Sequence, residues 1–210
     1  MINTLTATDI CNLALDWCGG LNIQDINDQN NPNAAICKRH YGQCVRAEIN
    51  KYEWTFAREF KKAIAVDLEA YPEVEIKGYI AYHLPEDFSR LSQYFFNEFY
   101  PYRTNQYQPG HNFFLTAKYL YVRRPIDTIP YITQNPPIKD YDVLFCDMVA
   151  MSLATRIAKK VQGADADMSF LEGFYDKKVR DARRQNVLQL EPSPTGFTET
   201  QIARVGYFGL

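Results

Sequence analysis

The sequence predicts an α+β protein, mainly α. Two N-terminal and two C-terminal helices form a helical bundle, with a small antiparallel β region inserted between the pairs and extended arms. Three observations predict it. From Asn33 to Ala57, residues Ala34, Cys37, Tyr41, Cys44, Val45, Ile49 and Tyr52 recur at gaps of three and four, one side of a helix. Two stretches near the C-terminus repeat that spacing. Between them the apolar residues become aromatic and β-branched and are broken by turn formers, as in short strands. The expected layout is a single domain over residues 1–190, with helices in 6–57 and 142–190. The β region is expected at about 74–124, an extended arm at 125–140 and a docking tail at 191–210.

Thr8 or Thr6 is placed to cap a first helix running to about Cys18. Ile10, Leu13, Ala14 and Trp17 share a face, and Gly19-Gly20 is the stop. A polar loop from Leu21 to Pro32, full of turn formers, leads to the second helix. Pro32 sits just before that helix and Asn33 is a plausible N-cap. Lys38, Arg46, Glu48 and Lys51 fall mostly off the apolar stripe and are expected to face water. The helix runs into Trp54 and Phe56, large aromatics that need burial. Its stripe must be covered by other elements, so the stretch 33–57 is expected to organise the chain.

From about Lys61 to Tyr71 the pattern weakens, and Pro72 ends the segment. Ile76 to Leu84 reads as a strand. Leu84-Pro85-Glu86-Asp87-Phe88 reads as a turn, because proline disfavours helix in the residue before it. Leu91 to Tyr102 reads as a second strand, and Thr104 to Asn112 as a loop with Pro109-Gly110 at its tip. Phe113 to Thr116 and Tyr119 to Arg123 form a hairpin around Ala117-Lys118. Pro125, Pro130, Pro136 and Pro137 keep the next stretch, up to Lys139, out of helix. Asp140 or Asp142 caps a third helix that runs to about Val161. Its apolar face is Leu144, Met148, Met151, Thr155 and Ala158. Gly163 closes it, and Asp165 or Asp167 opens the last helix, lined by Met168, Leu171, Tyr175, Val179 and Ala182. Lys177, Lys178, Arg180, Arg183 and Arg184 lie on its far side.

The 210 residues suffice for one large domain. A formal net charge of −2 argues against a protein whose main affinity is for nucleic-acid phosphates, while leaving a local patch open. Met1 to Asp9 is polar, with no basic region followed by an apolar run, so no targeting segment is expected. No apolar run is long enough to span a bilayer, so no membrane partner is expected either. The five cysteines, odd in number and widely spread, read as reduced thiols of a protein made in a cytoplasm. Many of the 15 tyrosines lie between Tyr71 and Tyr141, which suits either an interface or an ordinary half-buried β region.

The search for chemistry yields no catalytic residue. There is no glycine-rich phosphate loop and no nucleophile elbow. His40, His83 and His111 lie in three segments, none beside a nucleophile at a recognisable spacing. Cys11 and Cys18, and Cys37 and Cys44, are each seven apart, so each pair lines its own helix and lets helices approach closely. The sharper reading is zinc on Cys37, His40 and Cys44, completed by Cys18. That spacing matches no standard zinc pattern, so neither a metal nor a cofactor is assigned. The basic side of the last helix is either a solvated face that complements the helix dipole or a contact with an acidic partner or DNA. Arg180, Arg183 and Arg184 are therefore candidate partner-binding residues. Phe197, Tyr207 and Phe208 join them, because isolated aromatics in the tail suit an arm that docks.

Four stretches also carry a family resemblance. They are Thr8-Asp9-Ile10-Cys11-Asn12-Leu13-Ala14-Leu15 with Gly19; Ala34-Ala35-x-Cys37 with Tyr41, leading to Trp54-Thr55-Phe56-Ala57; Ala81-Tyr82-His83-Leu84-Pro85-Glu86-Asp87-Phe88; and Leu115-Thr116-Ala117-Lys118-Tyr119-Leu120-Tyr121-Val122, followed by a long helix starting near Phe145. In their order and spacing they resemble the tail tubular protein A group of head-to-tail adaptor (connector) proteins of short-tailed phages. The match covers most of the chain up to about Arg184. The resemblance implies a structural virion protein, made in the host cytoplasm, that forms a ring, typically of twelve copies, between the portal protein and the tail nozzle. DNA passes through its channel during ejection without sequence-specific binding, and no enzyme activity or metal is implied. The alternative reading of the residues is a small nucleic-acid-binding or regulatory module that uses the basic C-terminal helix.

Overall fold

Helices α1 (Ala7–Trp17), α2 (Pro32–Lys51), α3 (Val143–Val161) and α4 (Met168–Gln189) form the helical part of a mixed α+β fold. The computed structural model describes residues 5–95, 113–163 and 166–189. The central element is α3, not the stretch 33–57. It packs on α1, α2 and α4 and is buried almost all round, through Phe145, Met148, Val149, Met151, Leu153 and Ile157 among others. The reason lies in charge. Met148 to Ala154 contains no charged residue, and a helix apolar on every side must be enclosed. Helix α2 carries exposed Lys38, Arg39, Arg46 and Lys51, so it can present only one face to the core.

The helix ends follow capping chemistry. Thr6 caps α1, and Asp9 reciprocates by accepting from the Thr6 N–H, a capping box. Asn31, rather than Asn33, caps α2, and Pro32 is the first helical residue, where its missing N–H would be unpaired anyway. Asn33 instead donates from its side chain to Leu21 O. Asp142 caps α3, and Asp167 accepts from Phe170 N at the start of α4. Gly19 and Gly163 close their helices with φ of 62° and 76°. The buried face of α1 is Ile10, Cys11, Ala14, Leu15 and Cys18, one position round from the expected face, which leaves Trp17 37% exposed. Gly20 allows this seating, since a Cβ there would lie 2.8 Å from Val161 Cγ1. Helix α2 stops at Lys51. Trp54 follows, buried, donating to Glu48 O and packing 5.0 Å from the Phe145 ring.

The β part is larger than expected. Strands β1 (Arg58–Lys62), β2 (Ile80–His83), β3 (Phe88–Leu91), β4 (Phe113–Leu115), β5 (Tyr119–Val122) and β6 (Thr128–Thr133) form two antiparallel sheets, ordered β1-β6-β3 and β2-β5-β4. The hairpin β4–β5 turns where expected. The expected strand from Ile76 to Leu84 is shorter, Ile80–His83. The expected strand from Leu91 onwards is replaced by β3, which begins where the predicted turn ends and shares only Leu91 with that strand, and residues 93–95 are already helical. Tyr102, Pro109, Gly110 and His111 lie outside the described residues.

Two strands were not anticipated. β1 is charged at four of five positions, and β6 occupies the first half of the expected arm and contains Pro130. Pro130 fits because its carbonyl accepts from Ser92 N on the β3 side. In a strand a residue's N–H and C=O point the same way, so the missing donor falls there too, where β3 has ended. The rest of the arm bends at Gln134 and Asn135 and then passes through Pro136 and Pro137 into a short 3-10 turn, Ile138–Asp140.

The two sheets are one ribbon. Ala63 N donates to Asp127 O, beside β6, whereas Ile64 O and Val66 N bond to His83 and Ala81 of β2. Neighbouring residues of a strand bond to opposite sides, so the extension of β1 has β6 on one flank and β2 on the other. The six strands curl until Phe95, just beyond β3, meets Phe113 of β4 at 5.0 Å. Tyr82, Leu91, Leu120, Val122, Ile129 and Tyr131 fill the inside. β6 also serves the helices. Its neighbour Ile132 points the other way, into the helical core. Glu53 completes the junction, accepting from Ser92 Oγ and Gln93 N at 2.7 Å and pairing with Arg58 at 3.0 Å.

Candidate interaction surfaces

The residues expected to bind a partner divide in three. Phe197, Tyr207 and Phe208 lie outside the described residues. Arg180 and Arg184 are exposed on α4, one turn apart. Arg183 is half-buried and stacks on the Tyr52 ring at 4.2 Å, so part of the basic side faces inward. Lys178 is likewise engaged, pairing with Asp147 on α3 at 2.5 Å.

What fixes α4 in place is a polar network that the spacing of α2 did not reveal. Glu48, expected in water, is fully buried. Its carboxylate accepts from Ser152 Oγ of α3 at 2.8 Å, from Tyr175 OH of α4 at 2.9 and 3.0 Å, and from Lys51 Nζ at 3.0 Å. Lys51 Nζ also donates to the Tyr175 hydroxyl in a very short contact. Burial works against the charge of Lys51, but the bonds with Tyr175 and Glu48 outweigh it and raise its pKa. Burial is also the main reason why the Tyr175 phenol is pushed up to about 12. A buried carboxylate must be met on all its lone pairs, and here three elements meet it. The arrangement pins helices and offers no open position to a substrate. Asn186 acts similarly lower on α4, donating to Glu53 O at 2.7 Å and accepting from Thr55 N at 2.8 Å. Its signal was present but unread: Asn186 continues the series Leu171, Tyr175, Val179 and Ala182.

The cysteines line the helical core. All five are free and buried, and Cys18 Sγ donates to Ala154 O at 3.4 Å. Burial pushes the thiols of Cys18 and Cys146 up to about 11, so they stay protonated at neutral pH. Cys37, His40 and Cys44 do not converge. Among the described residues no three His, Cys, Asp or Glu side chains are grouped to hold a metal, and His40 lies against Lys160 instead.

Asp87 marks the wall of the ribbon, beside a surface depression lined by Glu59, Phe60, Lys61, Glu86 and Tyr131. Burial would raise its pKa, but bonds from Thr133 Oγ1 at 2.6 Å and Tyr131 OH at 3.0 Å hold it below the usual value.

The exposed apolar side chains fall into separate patches. Trp17 and Phe170 are 37% and 48% exposed at one end of the helical part, with Phe174 5.1 Å from the Trp17 ring. Phe60 and Tyr94 stack edge-on at 5.9 Å on the outside of β1. Leu68, Tyr71 and Ile76 project from the excursion between β1 and β2. Among the described residues no helix is long and apolar enough to cross a membrane. The chain matches no protein-family model and no curated protein.

Proposed function

We propose that the chain is a structural virion protein, a subunit of a head-to-tail adaptor ring that joins the portal to the tail nozzle and forms part of the DNA ejection channel. The observation that carries this reading is the distribution of exposed aromatic and aliphatic side chains over at least three separate elements: Trp17 with Phe170, Phe60 with Tyr94, and Leu68 with Tyr71 and Ile76. One ligand would be served by one concave patch. Several separate patches are served by neighbours on several sides, and aromatic side chains are the usual anchors of such contacts. The subunit is a bundle of two N-terminal and two C-terminal helices set beside a β part. The four stretches behind the resemblance supply its framework: α1, the start of α2 with Trp54, the β2–β3 turn and the β4–β5 hairpin.

In this reading the ring has twelve copies, lets DNA slide without sequence-specific contacts, and needs no cofactor or catalytic residue. Arg180 and Arg184 are the described residues taken to contact the portal or nozzle, together with Phe197, Tyr207 and Phe208 of the tail, while Arg183 is held on Tyr52. Negative-stain microscopy of the purified chain mixed with portal rings tests it. The expected result is an added ring on one end of the portal; portal rings that stay bare at high subunit concentration overturn it.

One observation favours the alternative of a nucleic-acid-binding or regulatory module. Arg180 and Arg184 are exposed and take part in none of the ion pairs found among the described residues. That reading requires DNA affinity that falls steeply with salt and is lost in R180A/R184A.

A further inference from the structure

Two oppositely charged surfaces of this chain find no ion-pair partner among the described residues. The first is a seam between α2 and α3. Arg156 and Lys160 lie one turn apart on α3, and His40 meets them from α2, with Lys160 Nζ 3.3 Å from His40 Nε2 and Arg39 beside it in the chain, near enough for its charge to act on the ring. At that distance the imidazole accepts and is neutral. Burial, followed by the charges of Lys160, Arg39 and Arg156, holds its pKa below the usual value. Arg39, Arg156 and Lys160 are exposed, so three cations crowd one seam.

The second surface is the excursion 67–76, between the extension of β1 and β2. It carries Asp67, Glu69, Glu73 and Glu75, all exposed, against one basic residue, Lys77, that follows it before β2. Interleaved with them are Leu68, Tyr71 and Ile76, exposed by 41%, 46% and 39%, while Val74 is buried beneath and anchors the loop. Four like charges around apolar side chains repel one another in isolation and are relieved by a cationic surface that also excludes water.

We propose that these surfaces meet: the cationic α2/α3 seam of one copy receives the acidic 67–76 excursion of the next. The inference rests on the ring reading in taking the neighbour to be a second copy, and it names the faces that make the ring. Three positive charges meet four negative ones, with apolar side chains at the centre and charges at the rim. Because the two faces are different parts of one chain, the contact is head-to-tail, the kind that closes into a ring when the rotation allows. A second copy fits better than nucleic acid, because the chain is net negative, at −2, and its own acidic excursion would repel phosphates.

Charge reversal tests this. R39E/R156E/K160E reverses the seam and D67K/E69K/E73K/E75K reverses the excursion; E69K/E73K serves if the fourfold variant does not fold, as judged by circular dichroism. Self-association is followed by sedimentation velocity across a salt series, with and without portal rings. The wild type is expected to form larger species that weaken with salt, and each variant alone to lose at least about tenfold in association. An equimolar mixture of the two variants should recover it, because each reversed seam then meets a reversed excursion. Variants that associate as the wild type does, or a mixture that stays dissociated, overturn the proposal. So does a seam variant that loses DNA retention and keeps self-association. If the wild type and both variants all seat on the portal alike, this inference fails and the adaptor reading stands. If charge-dependent association occurs but portal is ignored, the adaptor reading fails and this one stands. A wild type that does neither overturns both.

Discussion

Glu48 and Asp87 are both carboxylates held by hydroxyl groups, one among helices and the other on a sheet wall, and they do different work. Glu48 is fully buried, and its partners come from α3, from α4 and from its own helix. Asp87 is half-buried, and both of its hydroxyl donors, Tyr131 and Thr133, come from the single strand β6. The first carboxylate therefore ties three elements together, whereas the second fastens one turn to one strand. The helical part depends on a charge that cannot reach water. The ribbon depends on a charge that still can.

The sharpest way to break this contrast is Glu48→Ala. It removes the acceptor shared by Ser152, Tyr175 and Lys51 and leaves their donors facing a cavity. Breaking a buried pair by deleting one partner costs about 3–5 kcal/mol, so urea unfolding should show a loss of that order. A loss under about 1 kcal/mol would mean that water reaches the site, and the distinction from Asp87 would collapse.

Ile132→Ala asks whether the two parts are separable at all. Ile132 lies on β6 yet sits in the helical core, back to back with Ile129 and Tyr131 in the ribbon core. Truncating a buried isoleucine costs about 2–5 kcal/mol. Because this side chain is the shared wall, the variant should lower one common transition, seen alike by tryptophan fluorescence and far-ultraviolet circular dichroism. Two separated transitions would show that the helices and the ribbon unfold independently.

The same contrast explains what could be read in advance. The ends of α1 and α3 were legible because caps are local chemistry: Thr6 with Asp9, Asp142, Gly19 and Gly163 each act within a few residues, whereas the cap of α2 is Asn31 and not the expected Asn33. The β4–β5 hairpin was legible for the same reason. β1 and β6 were not, because their pairing is with each other across some seventy residues of chain, and one is charged while the other contains proline. Glu48 was misassigned because a stripe drawn from apolar residues leaves no place for a carboxylate whose donors arrive from residues 152 and 175. The prominence of α3 over α2 was in the sequence, as the uncharged run Met148 to Ala154, which a search for one-sided stripes does not weigh. Of the candidate partner residues, Arg180 and Arg184 are exposed as expected, and Arg183 is turned inward by Tyr52, a contact set by tertiary packing.

Asp87→Asn should be milder than either core change. It weakens two hydrogen bonds at a half-buried site, worth about 1–2 kcal/mol together. Its signature is in the pH dependence. The folded pKa lies below the unfolded one, so the stabilisation is complete above the unfolded value, near 4, and is lost as pH falls through the folded value. The wild type should therefore lose stability on acidification below about pH 4 more steeply than D87N. Parallel acid profiles would remove Asp87 from the account.

The smallest effect expected is at Arg183, and it separates the inward from the outward side of α4. Its guanidinium lies 4.2 Å from the centre of the Tyr52 ring, half-screened from water. Cation–π contacts at such sites are worth about 0.5–1 kcal/mol, so Arg183→Ala should lower stability by that much. Arg180→Ala and Arg184→Ala, exposed on the same helix, should stay within about 0.5 kcal/mol of wild type. Thermal unfolding in parallel resolves the difference. If all three substitutions are equally silent, the stacking on Tyr52 contributes nothing and Arg183 belongs with the outward pair. If Arg183 alone registers, only Arg180 and Arg184 remain free to meet a partner, and a binding defect in either can be assigned to the interface rather than to the fold.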